Sequence, residues 1–367
     1  MATEIKSSAT ESKLRLTTDA DGRYNGLTQE DLVQMYRHIY TSRKLDDAEI
    51  NLKRQQKIFF QISGAGHEAV LVAAAKALRP AYDWFYPYYR DRALVLALGM
   101  TPTEILAEAV GAADDPNSGG RQMPCHWGHK DLNIVSQSSC TGTQHLQAVG
   151  NSQVARIMKA VEELAERDGF HDDEVIYVSI GDGATSEGEF WEAVNTAANM
   201  KLPVMFMVED NGYAISVPVS VQTAGGSISK ACSGFEGLFI TEFDGCDPVE
   251  SYGKLMEACR YIRSGQGPAL VHAHVVRPYS HSMSDDETMY KTEAEIADEA
   301  KRDPVVSFAA FLIDEGILTA EQVEQLKKDV EADVRAAVDE ALALPSPHPD
   351  TALDFIYSPD VDPTSAA

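Results

Sequence analysis

The stretch from Glu174 to Ser216 constrains the fold of this chain more than any other part of its sequence. It contains two apolar runs, Glu174–Ile180 and Val204–Val208, and neither run shows the periodicity of a helix. Short apolar runs of this kind are typical of strands that are buried on both faces of a parallel sheet. The stretch therefore predicts two neighbouring strands in the interior of an α/β protein.

The segment between these strands is predicted to be a glycine turn followed by a helix. The Gly-Asp-Gly sequence at 181–183 allows the backbone to turn tightly and to approach a ligand closely. Ser186 and Glu189 have the spacing of a capping box, so we expect the helix to begin at Ser186 and to end near Met200. A strand–helix–strand crossover makes the two strands parallel, and their carboxyl ends then lie at the same edge of the sheet.

Two polar side chains, Asp182 and Asn211, directly follow the two strands. We expect them side by side at the edge where open α/β sheets bind their ligands. Carboxylate and amide oxygens suit Mg²⁺, which usually completes its shell with water and substrate phosphates. Backbone N–H groups after Gly183 would add a site for those phosphates. The arrangement predicts a Mg²⁺-bridged diphosphate, and the alternative is an ordinary strand–helix–strand unit without a ligand.

Composition narrows the class of protein further. The chain has 367 residues and a formal net charge of −26, which argues against nucleic acid and anionic membranes as partners. Five cysteines, an odd number, suggest reduced thiols, and no apolar window is long enough for a transmembrane helix. The N-terminus lacks the apolar core of a signal peptide and is too acidic for a transit peptide, so we expect a bacterial cytoplasmic protein.

The text of the central unit, GDGATSEGEF followed by EDNGYAIS, resembles the alpha subunits of the thiamine diphosphate-dependent 2-oxo acid dehydrogenases. The resemblance extends from about Leu32 to Tyr357. One departure is Asp210, where the family usually has Asn, while the following Asn211 is retained. The resemblance implies thiamine diphosphate and Mg²⁺ as cofactors. The implied metal ligands are Asp182, Asn211 and the backbone carbonyl of Tyr213.

Further site residues follow from the same resemblance. His281 is implied as the catalytic residue, in contact with the diphosphate, and Phe60 and the turn near His67 are implied to lie close to the substrate and the cofactor ring. The residues implied to bind the cofactor are Tyr89, Arg90, Ser139, Thr141, Asp182, Gly183, Ala184, Asn211 and His281. A loop containing Cys125, His126 and His129 has no second cluster that would complete a zinc site.

The segment Ser138–Gly150 favours one branch of the family. Branched-chain members have a similar segment that binds K⁺, whereas the pyruvate-type segment is rich in glycine. The matching positions here are Ser138, the backbone of Cys140, Thr143 and Gln144. The resemblance therefore implies a K⁺ site and a branched-chain 2-oxo acid as the substrate.

The implied function is that of the alpha subunit of a branched-chain 2-oxo acid dehydrogenase, which decarboxylates its substrate oxidatively and transfers the acyl group to a lipoyl group. The implied partners are a beta subunit in an α₂β₂ heterotetramer, and a dihydrolipoyl acyltransferase core with its lipoyl domain. The beta subunit would supply the Glu that contacts the aminopyrimidine ring. The alternatives are a pyruvate or acetoin dehydrogenase alpha subunit, and a non-catalytic regulatory subunit that binds Mg²⁺-diphosphate.

The expected fold is α/β, with a doubly wound, mostly parallel sheet flanked by helices and with helical extensions at both ends. Residues 1–27 are predicted to form a polar arm, 28–302 the thiamine diphosphate-binding domain, and 303–367 a helical extension and tail. The first helix is predicted over Leu27–Lys53 with Thr28 as its N-cap. The extension should contain two helices, separated at Gly316, the second capped by Thr319 and Gln322.

Overall fold

A computed structural model describes residues 22–161, 171–354 and 356 of the chain. Within these residues a parallel sheet of five strands has the order β1-β2-β3-β7-β6. Its strands are β1 Trp84–Tyr86, β2 Ile176–Gly181, β3 Val204–Asp210, β6 Phe239–Asp244 and β7 Ala269–His274. A short antiparallel pair consists of β4 Tyr213–Ala214 and β5 Val217–Pro218. The predicted α/β fold with a mostly parallel sheet is confirmed.

Helices cover both faces of this sheet. Those before β3 are α1 Gln29–Arg54, α2 Glu68–Ala77, α3 Arg92–Leu98, α4 Pro102–Val110, α5 Gln144–Ala160 and α6 Gly188–Met200. Those after it are α7 Val219–Gln222, α8 Ile228–Cys232, α9 Pro248–Arg263, α10 Glu293–Lys301, α11 Pro304–Asp314 and α12 Ala320–Ala343. One apolar core lies between the sheet and α1, α2, α3 and α9, and a second lies between the sheet and α5 and α6.

The central strands are buried along their whole length, as their apolar sequences predict. In β3 every residue from Val204 to Asp210 is buried, including the two acidic residues at its end. The last residues of β2 and β3 therefore lie at one edge of the sheet. In the register of the two strands, Ile180 is beside Val208 and Gly181 is beside Glu209. This register brings the residues after β2 next to the residues after β3.

The helix after β2 begins later than the sequence predicts. Gly183–Ser186 forms a 3₁₀ turn, and α6 begins at Gly188 with Glu187 as an N-cap that makes no side-chain capping bond. The predicted capping box of Ser186 with Glu189 is therefore wrong. The reason is local, because the backbone completes the glycine turn with the Thr185 and Glu187 N–H groups bonded to the carbonyls of Asp182 and Ala184 before the helix starts.

The capping predictions for α1 and α12 are confirmed, since Thr28 and Thr319 each form a complete capping box. Residues 1–21, the larger part of the predicted arm, lie outside the described residues, whereas Tyr24 and Leu27 are buried in the core. Side chains of α11 and α12 pack in the same core as α1. The division into arm, domain and extension remains a prediction. Among the described residues, no helix combines the length and apolar character needed to cross a membrane.

Candidate active site

A cavity of about 430 Å³ opens at the carboxyl ends of β2 and β3, within the size range of small-molecule sites. Residues that are far apart in the sequence meet there, as the parallel crossover requires. All the residues predicted to bind the cofactor or the metal line this cavity, together with Phe60: Tyr89, Arg90, Ser139, Thr141, Asp182, Gly183, Ala184, Asn211, Tyr213 and His281. Their roles remain predictions, but the structure places them around one volume.

Asp182 is the most unusual carboxylate of this cavity. The residue is 1% exposed, and its Oδ2 atom has no hydrogen-bond partner among the described residues. Burial, and then the nearby Asp210 carboxylate, raise the pKa of Asp182 to about 7. An unpartnered, desolvated carboxylate oxygen is costly unless another group satisfies it. A divalent cation at this oxygen would fit, because it would restore the charged form of the carboxylate.

Asn211 lies on the same side of the cavity as Asp182, and its amide is oriented by buried hydrogen bonds. The Nδ1 atom of His67 lies 2.7 Å from a carboxylate oxygen of Glu209, and its Nε2 atom lies 3.4 Å from the Asn211 Nδ2 atom. Burial, and then Arg90 and Arg277, hold the pKa of His67 well below its usual range, so the ring is neutral. With its proton on Nδ1 toward Glu209, Nε2 accepts from the Asn211 amide. The Asn211 Oδ1 atom accepts from the Tyr213 N–H at 3.2 Å and retains a lone pair.

The backbone at Gly183 accepts no side chain. A Cβ atom there would lie 2.6 Å from the Cβ atom of Ala214, closer than real Cβ atoms approach. The glycine therefore lets the 3₁₀ turn after β2 and the turn after β3 pack against each other. This close packing brings Asp182, Asn211 and the Tyr213 backbone to one side of the cavity, which fits the predicted metal ligands.

Arg90 and His281 form a polar wall of the cavity. Arg90 is 2% exposed and is held by the Ser63 carbonyl, while its Nη2 atom lies 3.1 Å from His281 Nδ1 and 3.2 Å from the His281 carbonyl. Because a guanidinium only donates, His281 Nδ1 is an acceptor and the ring proton is on Nε2. Burial, and then Arg90 and Arg277, lower the pKa of His281 to about 4. His281 is therefore a neutral donor at physiological pH.

A network of hydrogen bonds holds the loop that carries His281. The Asp285 carboxylate accepts from the His281 N–H at 2.9 Å and from the Tyr290 hydroxyl at 2.5 Å. Tyr290 in turn accepts from Arg277 at 2.6 Å. This network fixes the backbone of the loop, so the imidazole has a defined position before any ligand is bound.

The predicted K⁺ ligands lie at the edge of the cavity rather than in its lining. The Ser138 hydroxyl accepts from the Cys140 N–H at 3.2 Å, and the Cys140 carbonyl accepts from the Thr143 N–H at 3.3 Å. The Gln144 side chain accepts from Gly142 and donates to the Ser179 carbonyl. These hydrogen bonds hold the segment in a compact turn. The K⁺ site itself remains a prediction.

Sequence reasoning missed one buried cluster and one partly buried cluster near the ends of the central strands. One is the acid pair of Asp91 and Glu209. Burial, and then the Asp91 carboxylate, raise the pKa of Glu209 well above its usual range. The other is Asp210 with His272 and His274, whose ligand-type atoms all lie within 4.8 Å of one another. The alternation of the two histidines along one strand was visible in the sequence, but nothing local showed that this strand pairs with β3.

Comparisons with known proteins agree with this site. The family model for the dehydrogenase E1 component matches residues 36–350. The chain belongs to this family. It is 39% identical over 333 residues to the 2-oxoisovalerate dehydrogenase subunit alpha of Bacillus subtilis, covering 91% of this chain and 97% of the relative. This chain is thus an E1 alpha chain of the 2-oxo acid dehydrogenases, a family that uses thiamine diphosphate.

Two further relatives are alpha subunits of dehydrogenases with different names. The 3-methyl-2-oxobutanoate dehydrogenase subunit alpha of Mycobacterium tuberculosis is 33% identical over 346 residues, which are 93% of this chain and 86% of the relative. The pyruvate dehydrogenase E1 component subunit alpha of Staphylococcus aureus is 33% identical over 316 residues, which are 86% of this chain and 79% of the relative. An alpha chain of this kind implies a beta subunit as its partner.

Proposed function

We propose that this chain, with a beta subunit, catalyses the oxidative decarboxylation of branched-chain 2-oxo acids and the transfer of the acyl group to a lipoyl group of a dihydrolipoyl acyltransferase core. The similarity to two branched-chain relatives, one at 39% identity and with 97% of its length covered, supports this substrate over pyruvate. The observation that carries the function is the cavity in which Asp182 presents an unpartnered buried oxygen beside Asn211.

The fit of the cofactor rests on these residues. Asp182, Asn211 and the Tyr213 carbonyl would hold Mg²⁺, which would supply positive charge for the diphosphate. Arg90 and the Nε2–H group of His281 would donate to the phosphate oxygens from the opposite wall, together with the Tyr89 side chain. When bound, thiamine diphosphate supplies the electron sink for loss of CO₂. The chain contributes the binding and the electrostatics.

Charge balance explains why a strongly acidic chain can bind a diphosphate. The net charge of −26 would repel an anion at long range, yet the lining of this cavity has Arg90 as a fixed cation. Mg²⁺ held by Asp182 would offset most of the remaining negative charge. Since His281 is neutral, it can donate one hydrogen bond and contributes no net charge. The affinity should therefore depend strongly on Mg²⁺.

The mouth of the cavity supports a role in excluding water. Phe60, Ile62 and Met123 contribute apolar surface to the lining of the cavity, to which Ser139 and Thr141 also contribute. The Ser139 hydroxyl is within 2.7 Å of His126 Nε2, which fixes its orientation. We place the 2-oxo acid against Phe60, so that its aliphatic tail contacts apolar side chains. A branched tail gains more from such contacts than the methyl group of pyruvate.

Partner binding has its own candidate surface on α5. Leu146, Val154, Ile157 and Val161 are exposed at helical spacing, with Gly150 between the first two. An exposed apolar stripe on a helix is typical of a face that another chain covers. Because α5 follows the Ser139 and Thr141 segment of the cavity, we propose that the beta subunit packs on this stripe in the α₂β₂ assembly.

Co-purification of the two subunits tests this surface. Ile157→Glu places a charge in the stripe and should weaken the complex by at least ~10-fold, because an unpaired charge would be buried. The control is Leu353→Glu, at a residue that is 78% exposed near the end of the described chain. Both variants should melt like the wild type alone. A complex of unchanged affinity with Ile157→Glu would contradict the placement.

The K⁺ proposal has a separate test. If the turn of Ser138, Cys140, Thr143 and Gln144 binds K⁺, the melting temperature should rise with K⁺ relative to a bulky organic cation at equal ionic strength. Gln144→Leu should abolish the difference. An equal melting temperature of the wild type in both salts would remove the K⁺ site and the argument for a branched-chain substrate that rests on it.

The function itself is tested with the reconstituted alpha and beta subunits. The expected result is decarboxylation-dependent dye reduction with kcat/KM at least ~10-fold higher for 2-oxoisovalerate than for pyruvate, since the two added methyl groups each contribute on the order of 1 kcal/mol. If the enzyme prefers pyruvate, the proposed substrate is wrong but the proposed reaction still holds. Tight Mg²⁺-dependent binding of thiamine diphosphate without turnover of any 2-oxo acid would favour the non-catalytic regulatory subunit.

A further inference from the structure

A second cluster of metal-type ligands lies behind the active site, on the face of the sheet where α8 packs. Asp210 is the last residue of β3, and His272 and His274 are on β7. The register pairs Asp210 with His274 and Val208 with His272. Since side chains two residues apart share a face of the sheet, Asp210, His272 and His274 all point to the same side.

The distances suit a shared ion. His272 Nε2 lies 2.9 Å from Asp210 Oδ2, and His274 Nδ1 lies 3.6 Å from the same oxygen. Ligand atoms that surround one tetrahedral Zn²⁺ are roughly 3.3 Å apart. The other oxygen of Asp210 accepts from the Gly212 N–H at 2.8 Å, which leaves Oδ2 for the cation. One oxygen and two imidazole nitrogens therefore converge on one point.

The partners behind these ligands are also those of a metal site. Ser229 of α8 lies 2.7 Å from His272 Nδ1, and Glu242 of β6 lies 2.7 Å from His274 Nε2. Metal-binding histidines almost always direct their second nitrogen at a carboxylate or another acceptor, which fixes the ring and raises its basicity. Here each ring has such a partner on the nitrogen that faces away from the shared point.

Access and charge complete the argument. The side chains of His274 and Glu242 are each 42% exposed, so an ion can enter from solvent and retain a water, whereas His272 and Asp210 are 1% and 5% exposed. Beside the cluster, the Arg302 guanidinium is already paired with Asp244 and donates to the His274 carbonyl. The three residues of the cluster thus offer one carboxylate and two imidazoles, with the Glu242 carboxylate behind His274.

We propose that Asp210, His272 and His274 bind one divalent transition-metal ion of the Zn²⁺ class, separate from the Mg²⁺ at Asp182 and Asn211. Two imidazoles and one carboxylate select Zn²⁺ or a similar ion rather than Mg²⁺. The ion joins the ends of β3 and β7 immediately before Asn211, and its binding at Nε2 of His272 leaves the imidazole proton on Nδ1, where the Ser229 hydroxyl accepts it. The site thereby stiffens one side of the cofactor cavity.

Co²⁺ is the probe for this site, because its visible absorption reports coordination by protein ligands. The full-length chain is stripped with a chelator, transferred to excess Mg²⁺ to occupy oxygen-only sites, and titrated with Co²⁺ without thiamine diphosphate. We expect one Co²⁺ per chain with the intense bands of a low coordination number, and displacement of these bands by one equivalent of Zn²⁺. Zn²⁺ should also raise the melting temperature.

Two variants and one control locate the site. His274→Ala should lower the Co²⁺ affinity at least ~10-fold, and Glu242→Gln should lower it roughly 10-fold through the orientation of His274. His348→Ala, at an exposed histidine beside Asp350, should leave the affinity unchanged. Thermal melting in chelator shows whether each variant folds. If His274→Ala does not fold, the Co²⁺ affinity of Glu242→Gln, at a partly exposed residue, tests the proposal in its place. Absence of stoichiometric Co²⁺, or equal affinity in His274→Ala and wild type, would overturn the proposal.

Discussion

Replacing Asp182 by Asn should change stability and cofactor binding in opposite directions. In the metal-free chain the Asp182 carboxylate is buried, and its pKa of about 7 lies well above the ordinary value of 3.8. A group whose folded pKa is raised lowers the stability as the pH rises from the unfolded value through the folded value. At pH 7 the ionisation of this carboxyl therefore costs about 4 kcal/mol relative to its protonated form.

The amide of Asn has almost the same shape and no charge. It buries a polar group at a cost similar to that of the protonated carboxyl, so the metal-free variant should be more stable than the wild type by up to about 4 kcal/mol at pH 7. The difference should vanish near pH 4, where Asp182 is protonated in the folded state. Chemical denaturation of both proteins in a chelator, at pH 4.5 and pH 7, measures the two differences.

The affinity for the cofactor should decrease in the same variant. The variant loses the only carboxylate proposed to hold Mg²⁺, and we expect a loss of at least ~3 kcal/mol, or roughly 100-fold, in Mg²⁺-dependent affinity for thiamine diphosphate. Calorimetry with and without Mg²⁺ gives this value. The control is Asp247→Asn, a carboxylate that caps α9 away from the cavity. A variant that is less stable without metal, or that binds the cofactor as tightly as the wild type, would refute the reasoning.

Two further predictions concern other buried side chains. Arg90→Lys keeps the charge but loses the fork that holds both the Ser63 carbonyl and His281, so calorimetry should show thiamine diphosphate affinity lowered by about 1.5–3 kcal/mol; unchanged affinity would contradict its role. His145 is buried, and burial lowers its pKa to about 4, so its contribution to stability is complete above its unfolded pKa of 6.5 and is lost as the pH falls toward 4. Urea unfolding at pH 7 and pH 5 measures the free energy of unfolding, which should fall between these pH values by about 2 kcal/mol less in His145→Leu than in the wild type. An equal decrease in both proteins would contradict the prediction.

The neighbourhood of Asp182 and Asn211 was predictable because it depends on a periodic pattern. Two apolar runs joined by a helix-length segment leave few alternatives to parallel strands, and the residue after each strand must then lie at one edge. The same logic does not fix the start of α6. Ser186 and Glu189 have the spacing of a capping box, but backbone hydrogen bonds from Thr185 and Glu187 hold Gly183–Ser186 in a 3₁₀ turn before the helix starts.

Contacts between segments far apart in the chain were beyond the reach of the sequence. His67 looks like an isolated histidine in a glycine-rich turn, yet it is buried against Glu209, which is 142 positions away. Its bond to Asn211 depends on how α2 packs against the sheet, and no local pattern encodes that packing. The same holds for Asp210 and β7, because only the strand order places β7 beside β3. Local patterns predicted the ligands, and packing supplied the groups that orient them.

The last prediction is that the chain alone is inactive toward 2-oxo acids. Catalysis with thiamine diphosphate requires a carboxyl group at the aminopyrimidine ring, and the resemblance assigns this group to the beta subunit. Among the described residues, the acidic side chains that line the cavity are Asp182 and Glu187. Asp182 is assigned to the metal. Glu187 is at the N-cap position of α6, directly after the 3₁₀ turn Gly183–Ser186 to which we assign the diphosphate.

This geometry makes the requirement for a partner testable with one variant. The purified chain with Mg²⁺ and thiamine diphosphate should bind cofactor weakly and show no decarboxylation, and activity should appear when the beta subunit is added. Glu187→Gln should retain that activity within a few-fold once the beta subunit is present. Turnover by the isolated chain that Glu187→Gln abolishes would show that this chain supplies its own carboxyl group. The cavity would then be complete without a second subunit, and the exposed stripe on α5 would need another explanation.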